Sequence, residues 1–501
     1  MKKSKKWIIF AICLVLAISI IVPIIVVFAG NPLKRASKNL SSYAINASLN
    51  SDHQITASQT INFKNNTGKN LNSICLHLFA RAFRKDATTR PYTELNKASC
   101  YPGGDSYGDI LIERVDINKN SANFEFAGED QDILKINTNV APKQNATIYL
   151  EYTLTLANCT HRIGYYNGII NLGNWYPIVC AYNGDWLTDP YYSTGDPFVA
   201  DSANYNVSIT YPAEYTCYAS GQLVKSQQQQ TTTDTYSALA IRDFALFLSN
   251  KANTSTIKSR KTNITYVGYT GDQNTSQNAK IASLACEYFS NSFGQYPYSN
   301  LVVCKSSFFQ GGMEYSGLVL VSDAITEEQE LAKVIVHEIA HQWWYGLVGN
   351  NQVCEAWLDE ALAEYSTCLF FEDTGVGETY KDLIKDAIAS YLIYVDVISS
   401  LNGKINLAMN AKVCDYTSEY EYTYMVYVKG VIMFDSLREV VGKNKLIRAL
   451  KKYCKTYSYK IASSADFISI LKSVCHKDLD GFFAGWLNGT NVVTTTFVSI
   501  L

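Results

Sequence analysis

"VIVHEIAHQWWYGLVGNNQVCEAWLDEALAEY", from Val334 to Tyr365, holds two of the six histidines of this 501-residue chain. His337 and His341 are four residues apart, so on a helix they lie one turn apart on the same side, where both imidazoles can reach a single point. Glu338 is turned by about 100° from His337, so its carboxylate can contact a water molecule at that point more easily than it can act as a third ligand. The spacing predicts a helix that binds a metal ion.

A third ligand is needed, because a catalytic zinc ion takes three protein ligands and keeps a fourth position for water. Glu360, in "WLDEALAEY", follows the turn "GLVGNNQV", and two antiparallel helices joined by that turn would bring it beside the histidines. We therefore predict one Zn²⁺ bound by His337, His341 and Glu360. The alternative is a solvated helix face with incidental histidines. The apolar flanks disfavour it, because unpaired polar groups among them would cost free energy.

The predicted ligands fit hydrolysis of an amide. Zinc lowers the pKa of its bound water toward neutrality and polarises a carbonyl group. Glu338 would accept the proton of the attacking water and pass it to the leaving nitrogen. The oxyanion of the intermediate needs a hydrogen-bond donor, and the segment "DYTSEYEYTYMVYVKG", Asp415 to Gly430, offers several phenols.

Three motifs together resemble the aminopeptidase N family of gluzincin zinc metallopeptidases. "HEIAHQWW" followed by "WLDEALAEY" resembles the zinc site of that family, and "GGMEYSG", Gly311 to Gly317, is similar to its exopeptidase motif. "VYVKG", Val426 to Gly430, matches the segment that carries its catalytic tyrosine. Fainter likeness extends over most of the chain.

The resemblance implies a role for each matching residue. It implies zinc binding for His337, His341 and Glu360, and the part of general base and then acid for Glu338. It implies that Tyr427 stabilises the oxyanion, that Glu314 binds the free α-amine of a peptide, and that the backbone of Gly312 and Met313 lines the path of the peptide.

Two of these assignments have competitors. Tyr427 competes with Tyr424, Tyr420 and Tyr422, and the "VYVKG" match favours Tyr427. Glu314 could instead be a surface acid after a turn. Outside the assigned set, Glu364 could orient a histidine, but an exposed helix acid is the favoured interpretation.

The sequence departs from the family pattern at two places. Tyr315 stands where the exopeptidase motif usually has asparagine, which affects the geometry of the amine site. The sequence ends at Leu501, whereas many relatives continue into a large helical C-terminal domain that encloses the active site. We therefore expect an open cleft.

The chain is predicted to be an α+β protein with an antiparallel β-sandwich-like domain over residues 31–250. Period-two alternation, as in "HQITASQTINF" and "ATIYLEYTLTLA", predicts its strands, and "QQQQTTTD" at Gln227 to Asp234 is interpreted as a hairpin loop. Residues 251–501 are predicted to form a mainly helical catalytic domain, thermolysin-like by the resemblance. Beyond one strand at "ITYVGYT", helical periodicity indicates helices at 276–293, 328–346, 354–372, 379–401, 423–441, 445–455 and 464–475.

The N-terminus, residues 1–30, is predicted to be a short cytoplasmic tail and a transmembrane anchor. "MKKSKK" precedes an uncharged apolar run from Trp7 to Ala29 that is long enough to cross a bilayer. We expect a single-pass protein of the cell membrane, anchored through residues 7–29, with its catalytic domain outside the cytoplasm. The alternative is a secreted protein whose apolar run is a cleaved signal peptide.

Composition excludes one class of partner. The formal net charge is only -2 and no basic block occurs, which argues against a nucleic-acid binder. The 13 cysteines allow disulfides without assigning them, and the sequence indicates no oligomeric state.

The resemblance implies an aminopeptidase acting on peptides with a free N-terminus. One alternative is an endopeptidase that uses the same zinc chemistry in an open cleft. Another is a non-catalytic, zinc-containing surface protein whose β-domain binds a partner, and the intact Glu338 and ligand set argue against it.

Overall fold

The computed structural model describes residues 32–491 and 493. The predicted transmembrane run, Trp7 to Ala29, lies outside these residues. Within them, no helix has the length and apolar character needed to cross a membrane. The twelve cysteines of the described part are free thiols.

The strands are concentrated before residue 270. In chain order they are β1 (Ser42–Leu49), β2 (Gln54–Lys64), β3 (Leu71–His77), β4 (Asp109–Ile117), β5 (Asn120–Ser121), β6 (Phe124–Ala127), β7 (Ile133–Val140), β8 (Asn145–Thr155), β9 (Ile163–Tyr166), β10 (Ile169–Leu172), β11 (Ile178–Val179), β12 (Ala203–Pro212), β13 (Thr216–Ala219), β14 (Gln222–Gln228), β15 (Thr231–Ile241), β16 (Leu246–Ser249), β17 (Ala252–Ser259), β18 (Thr262–Tyr269), β19 (Asn300–Ser306), β20 (Gly312–Met313), β21 (Leu318–Ser322), β22 (Val348–Gly349) and β23 (Lys460–Ile461).

The helices dominate the second half of the chain. They are α1 (Pro32–Ser37), α2 (Lys97–Cys100), α3 (Thr275–Ser292), α4 (Glu328–Ala340), α5 (Glu360–Thr374), α6 (Tyr380–Ser400), α7 (Glu419–Thr423), α8 (Lys429–Val441), α9 (Lys443–Tyr457), α10 (Ser464–Cys475) and α11 (Asp480–Leu487). A π-helical turn, Tyr424–Val428, joins α7 to α8. All seven predicted helices are present, with boundaries that differ by up to six residues.

Residues 42–249 form a β-rich region, as predicted. An eight-stranded sheet has the order β14-β15-β12-β1-β2-β8-β4-β5, and two four-stranded sheets have the orders β13-β16-β10-β9 and β11-β3-β7-β6. In β1, buried and accessible side chains alternate along the strand, so that Tyr43, Ile45, Ala47 and Leu49 enter the core. This is the period-two pattern that predicts the strand from sequence.

Two details of the β-rich prediction are wrong. The large sheet is mixed, because β1 pairs with β12 in parallel, from Ser42 opposite Asn204 to Ser48 opposite Thr210. The predicted hairpin is present, but its loop is shorter than predicted: most of Gln227 to Asp234 lies in β14 and β15, and the chain reverses at residues 229–230. Cross-strand pairing therefore extends into a segment whose composition suggested a loop.

The second half also contains a sheet that the sequence did not predict. Its order is β17-β18-β19-β21-β20, and β18, β19 and β21 are parallel neighbours. β19 and β21 are short, continuous apolar runs, and a buried parallel strand lacks the alternation by which strands are recognised. The prediction of a single strand at "ITYVGYT" was therefore incomplete.

This five-stranded sheet lies between two apolar cores. Val303 and Val319 pack with the helices, whereas Val302 and Leu320 pack with the β-rich region. The second of these cores contains residues from both sides of the predicted domain boundary near residue 250. The boundary therefore stays a prediction. The helical face of the sheet carries the helices α3 and α4, next to which the candidate site lies.

Candidate metal centre and active-site cleft

Helix α4 carries both histidines of the predicted metal site. It starts after Glu327, whose side chain accepts a hydrogen bond from the backbone N–H of Glu330 and so caps the helix. Ile335, Val336 and Ile339 are fully buried. This apolar packing holds the helix in the core and fixes the position of the imidazoles.

The three predicted ligands converge at the C-terminal end of α4. His341 Nε2 lies 3.0 Å from His337 Nε2 and 3.1 Å from Glu360 Oε2, and His337 Nε2 lies 3.3 Å from the same oxygen. Glu360 is the first residue of α5, which packs beside α4. The predicted antiparallel return of the chain thus brings the carboxylate to the histidines.

The opposite nitrogen of each imidazole is held by a hydrogen bond. His341 Nδ1 donates to the carbonyl of Trp344 at 2.9 Å, and His337 Nδ1 donates to Glu364 Oε2 at 3.0 Å. The interpretation of Glu364 as an exposed helix acid was therefore wrong. With Nδ1 protonated, each neutral ring turns an Nε2 lone pair toward Glu360.

These donors fit a zinc ion. Three acceptor atoms that face one another repel unless a cation lies between them. Ligand atoms of a tetrahedral zinc site lie about 3.4 Å apart, close to the separations among His337, His341 and Glu360.

A second set of possible ligands is Glu314, His341 and Asp359. It shares His341 with the first set, and its two carboxylates already accept hydrogen bonds from Gln352. This overlap makes it part of the same centre.

Glu338 points into the space beside the ligands. The residue is 6% exposed, and its Oε2 has no hydrogen-bond partner in the described part of the chain. Burial raises the pKa of this carboxyl to about 7 against the influence of the two histidines. A buried carboxylate with a free oxygen next to three metal ligands is suited to exchange a proton with a water molecule.

The predicted exopeptidase motif forms the neighbouring wall. Gly312 and Met313 make up β20, which pairs with β21. A Cβ atom at Gly312 would lie 2.1 Å from Glu338 Oε1, so the strand approaches this carboxylate closely only because residue 312 has no side chain.

Glu314 is buried in this wall and is not the surface acid of the alternative interpretation. It is 3% exposed, and burial raises the pKa of its carboxyl to about 8. A carboxylate oxygen of Glu314 and a ring nitrogen of His341 lie within 4.8 Å of each other. Tyr315, the departure from the family pattern, is fully buried against Gly173, away from the cleft lining.

Among the candidate tyrosines, Tyr427 lies closest to the ligands. It belongs to the π-helical turn, and its ring centroid is 5.9 Å from that of His337. Tyr424 stacks on Tyr394 with centroids 4.2 Å apart, Tyr420 is exposed, and Tyr422 packs on Tyr427. Tyr422 and Tyr420 also line the cleft.

One cleft of about 1090 Å³ is lined by the three metal ligands together with Gly312, Glu314, Glu338 and Tyr427. Its walls include residues that the sequence did not single out. From the β-rich region come Asn96, Ser99, Arg162 and Asp196, and from α6 come Leu383 and Asp386. Isolated polar residues in strands and loops carry no spacing signal, so only the fold reveals their position.

Arg162 and Asp196 form a buried ion pair in the cleft wall. Arg162 also donates a hydrogen bond to the Tyr191 hydroxyl at 3.2 Å. Burial raises the pKa of the Asp196 carboxyl to about 7, although the guanidinium opposes this shift. The pair places a guanidinium and a carboxyl group in the wall of the cleft that contains the metal centre.

Two imidazoles and a carboxylate around a common point, with a buried glutamate beside them and a cleft in front, have the donor set expected of a catalytic zinc site. Residues 275–486 match the peptidase family M1 domain. For this part of the chain, the match confirms the resemblance of the motifs to the aminopeptidase N family. The donor set and the family together assign zinc as the cofactor.

The relatives support this assignment. Endoplasmic reticulum aminopeptidase 2 of Homo sapiens is 29% identical over 192 residues, 36% of this chain and 19% of the relative. Aminopeptidase N of Haemonchus contortus is 26% identical over 213 residues, 40% of this chain and 20% of the relative. The matched part of this chain thus spans about a fifth of the length of either relative.

Solved structures share the fold. An M1 zinc metallopeptidase from Deinococcus radiodurans superposes with a TM-score of 0.64 at 16% sequence identity, covering 91% of this chain and 95% of that chain. The arrangement of a β-rich region followed by a helical region is therefore confirmed as an M1 metallopeptidase fold.

Proposed function

We propose that this protein is a zinc-dependent aminopeptidase that removes N-terminal residues from peptides. The observation that carries the proposal is the position of Glu314, a buried carboxylate within 4.8 Å of the ligand His341. In a peptide, only one carbon separates the α-amine from the first carbonyl. An anchor for the ammonium so close to the metal centre therefore selects the first peptide bond.

Each residue of the site has a separate role in the proposed reaction. His337, His341 and Glu360 would hold a zinc ion, which would polarise the substrate carbonyl and lower the pKa of a water molecule. The Glu338 carboxylate accepts the proton of that water and returns it to the leaving nitrogen. The Tyr427 hydroxyl donates a hydrogen bond to the oxyanion, and the backbone of Gly312 and Met313 borders the peptide.

Replacing the base tests this mechanism. Glu338→Gln should lower the turnover of aminoacyl reporter substrates by a factor of about 10² to 10⁴, while the zinc content, measured by metal analysis, stays at that of the wild type. Glu328→Gln, on the exposed first turn of the same helix, is the matched control. Retained turnover in Glu338→Gln would refute the role of Glu338.

A substrate panel separates the alternatives. An aminopeptidase hydrolyses free-amine reporters and loses activity with a chelator. Comparable hydrolysis of N-acetylated peptides would instead support the endopeptidase, and zinc binding without any turnover would support the non-catalytic binding protein.

We also propose that residues 7–29 anchor the protein in the cell membrane with the catalytic region outside the cytoplasm. The support is the uncharged apolar run after "MKKSKK". Fractionation of intact cells, followed by protease treatment from outside, tests it. A protein of unchanged length in the soluble fraction would argue against it, and a shortened secreted protein would favour signal-peptide cleavage.

A further inference from the structure

We propose that Gln352 is a positioning residue that holds the Glu314 carboxylate in the orientation that binds a substrate ammonium. This inference rests on the proposed aminopeptidase function. Gln352 is 1% exposed, and its Nε2 lies 2.9 Å from Glu314 Oε1 and 2.7 Å from Asp359 Oδ2. The single amide group thus bridges the proposed amine anchor and the residue that precedes the ligand Glu360.

A primary amide is suited to this position. Its NH₂ group has two N–H donors, one for each side chain, so two buried carboxyl groups are held together without a positive charge. A carboxylate at position 352 would add a third acceptor, and an apolar side chain would leave two buried oxygens without their donor.

The bridge leaves one oxygen of the anchor available. Glu314 lines the cleft, and within the described residues its Oε1 accepts the Gln352 N–H while no hydrogen bond to Oε2 is found. A substrate ammonium can therefore bind at Oε2 while Gln352 fixes the carboxylate plane.

Both the backbone next to Glu314 and its carboxylate are hydrogen-bonded to glutamines that adjoin a metal ligand or bond to its neighbour. Gln342, which directly follows His341, donates from Nε2 to the carbonyl of Tyr315 at 3.2 Å, and its Oε1 accepts the N–H of Gly317 at 2.8 Å. Asp359 is held from its other side by Asn350 Nδ2 at 2.9 Å. Gln342 fixes the backbone of the motif and Gln352 fixes the carboxylate, so together they set the distance from amine to metal.

The variant Gln352→Met tests the inference, because methionine has a similar size and no N–H donor. We expect kcat/KM for free-amine reporters to fall by about tenfold to a hundredfold, mainly through KM, while the slow hydrolysis of N-acetylated peptides changes little. Zinc content and the thermal midpoint identify a misfolded protein. Gln59→Met, which removes another fully buried glutamine from the β-rich region, controls for the general loss of a buried amide.

A double-mutant cycle shows whether Gln352 acts through Glu314. In a Glu314→Ala background, Gln352→Met should have no further effect on the preference for a free amine. An equal loss in both backgrounds, or on both substrate types, would overturn the inference.

Binding separates this inference from the proposed function. The probe is an amino acid hydroxamate compared with its desamino analogue, titrated calorimetrically into the zinc-loaded protein. If the wild type and Gln352→Met prefer the amino form to the same extent, the inference about Gln352 is overturned and the proposed function is not. Wild-type protein without that preference overturns amine recognition and the inference with it. If Gln352→Met fails to fold, Gln352→Asn, which keeps an amide but shortens the side chain by one methylene group, takes its place with the same expected loss of preference.

Discussion

At the scale of the residue, Gly312 controls the position of the proposed base. Its hydrogen atom occupies the space in which a Cβ atom would meet Glu338 Oε1 at 2.1 Å and Cδ at 2.5 Å. Glycine at this position follows from the close approach of a backbone to a functional side chain. The sequence identified Gly312 by resemblance alone, and the contact with Glu338 supplies the physical reason.

Gly312→Ala should therefore displace the Glu338 carboxylate and lower kcat by about tenfold or more, with zinc content unchanged. Gly311→Ala is the matched control, because a Cβ atom at Gly311 would meet no atom within 4 Å. Steady-state kinetics of both variants check the prediction. Equal effects of the two substitutions would show that general disturbance of the motif is responsible.

At the scale of the element, helix α5 supplies two glutamates, one turn apart, to the metal centre. Glu360 faces the two imidazoles, and Glu364 accepts the hydrogen bond from His337 Nδ1. The helical period makes this possible, because residues four apart share a face. The sequence contained the spacing, but it could not show which acid on a helix faces inward.

Glu364→Ala should weaken zinc binding by about tenfold to a hundredfold, the usual effect of removing the hydrogen-bond partner of a ligand histidine. Competition with a chelator, followed by recovery of activity on adding zinc, measures the change. Asp373→Ala, near the far end of the same helix, should leave zinc affinity unchanged. Wild-type affinity in Glu364→Ala would mean that His337 is oriented by its packing alone.

Elements differed in how well the sequence predicted them. Amphipathic helices such as α6 and α10 have a clear period and were found, and so were alternating strands such as β2 and β8. β19 and β21 were missed because strands buried on both faces do not alternate. The parallel pairing of β1 with β12 involves residues far apart in sequence, and no local pattern encodes it.

At the scale of the whole molecule, the cleft depends on contacts between distant parts of the chain. Asn96 Nδ2 donates to Glu419 Oε2 at 3.1 Å, which joins the β-rich region to the helical region at the cleft. The metal ligands could be predicted because they lie within one short motif. The residues opposite them could not, because only the fold brings them there.

The stability of this assembly should depend on a buried histidine of the β-rich region. His77 Nε2 bonds to the carbonyl of Leu187 at 3.1 Å, and burial lowers the pKa of the imidazole from 6.5 to about 4. The unfolded chain accepts a proton at this histidine near pH 6.5, whereas the folded protein does so only near pH 4. The neutral histidine therefore makes its full contribution to the free energy of unfolding above pH 6.5, and this contribution is lost as the pH falls toward 4.

His77→Gln keeps a donor for the Leu187 carbonyl and removes the titration. As the pH falls from 6.5 toward 4, the free energy of unfolding of the wild type should decrease relative to that of the variant by about 1.4 kcal/mol per pH unit. Urea unfolding from pH 7 to 4 measures this decrease. A constant difference between wild type and His77→Gln would contradict the prediction.

The π-helical turn between α7 and α8 has a consequence for how this site tolerates changes in chain length. A π turn contains one residue more than an α turn, and one residue corresponds to a rotation of about 100° around a helix axis. The phenol of Tyr427 faces His337, and Gly430 fits against Ala361 of α5, in the angular register that this additional residue creates. Deleting a single residue here would rotate one side of the turn against the other by about 100°, so that either Tyr427 turns away from His337 or Gly430 turns away from Ala361.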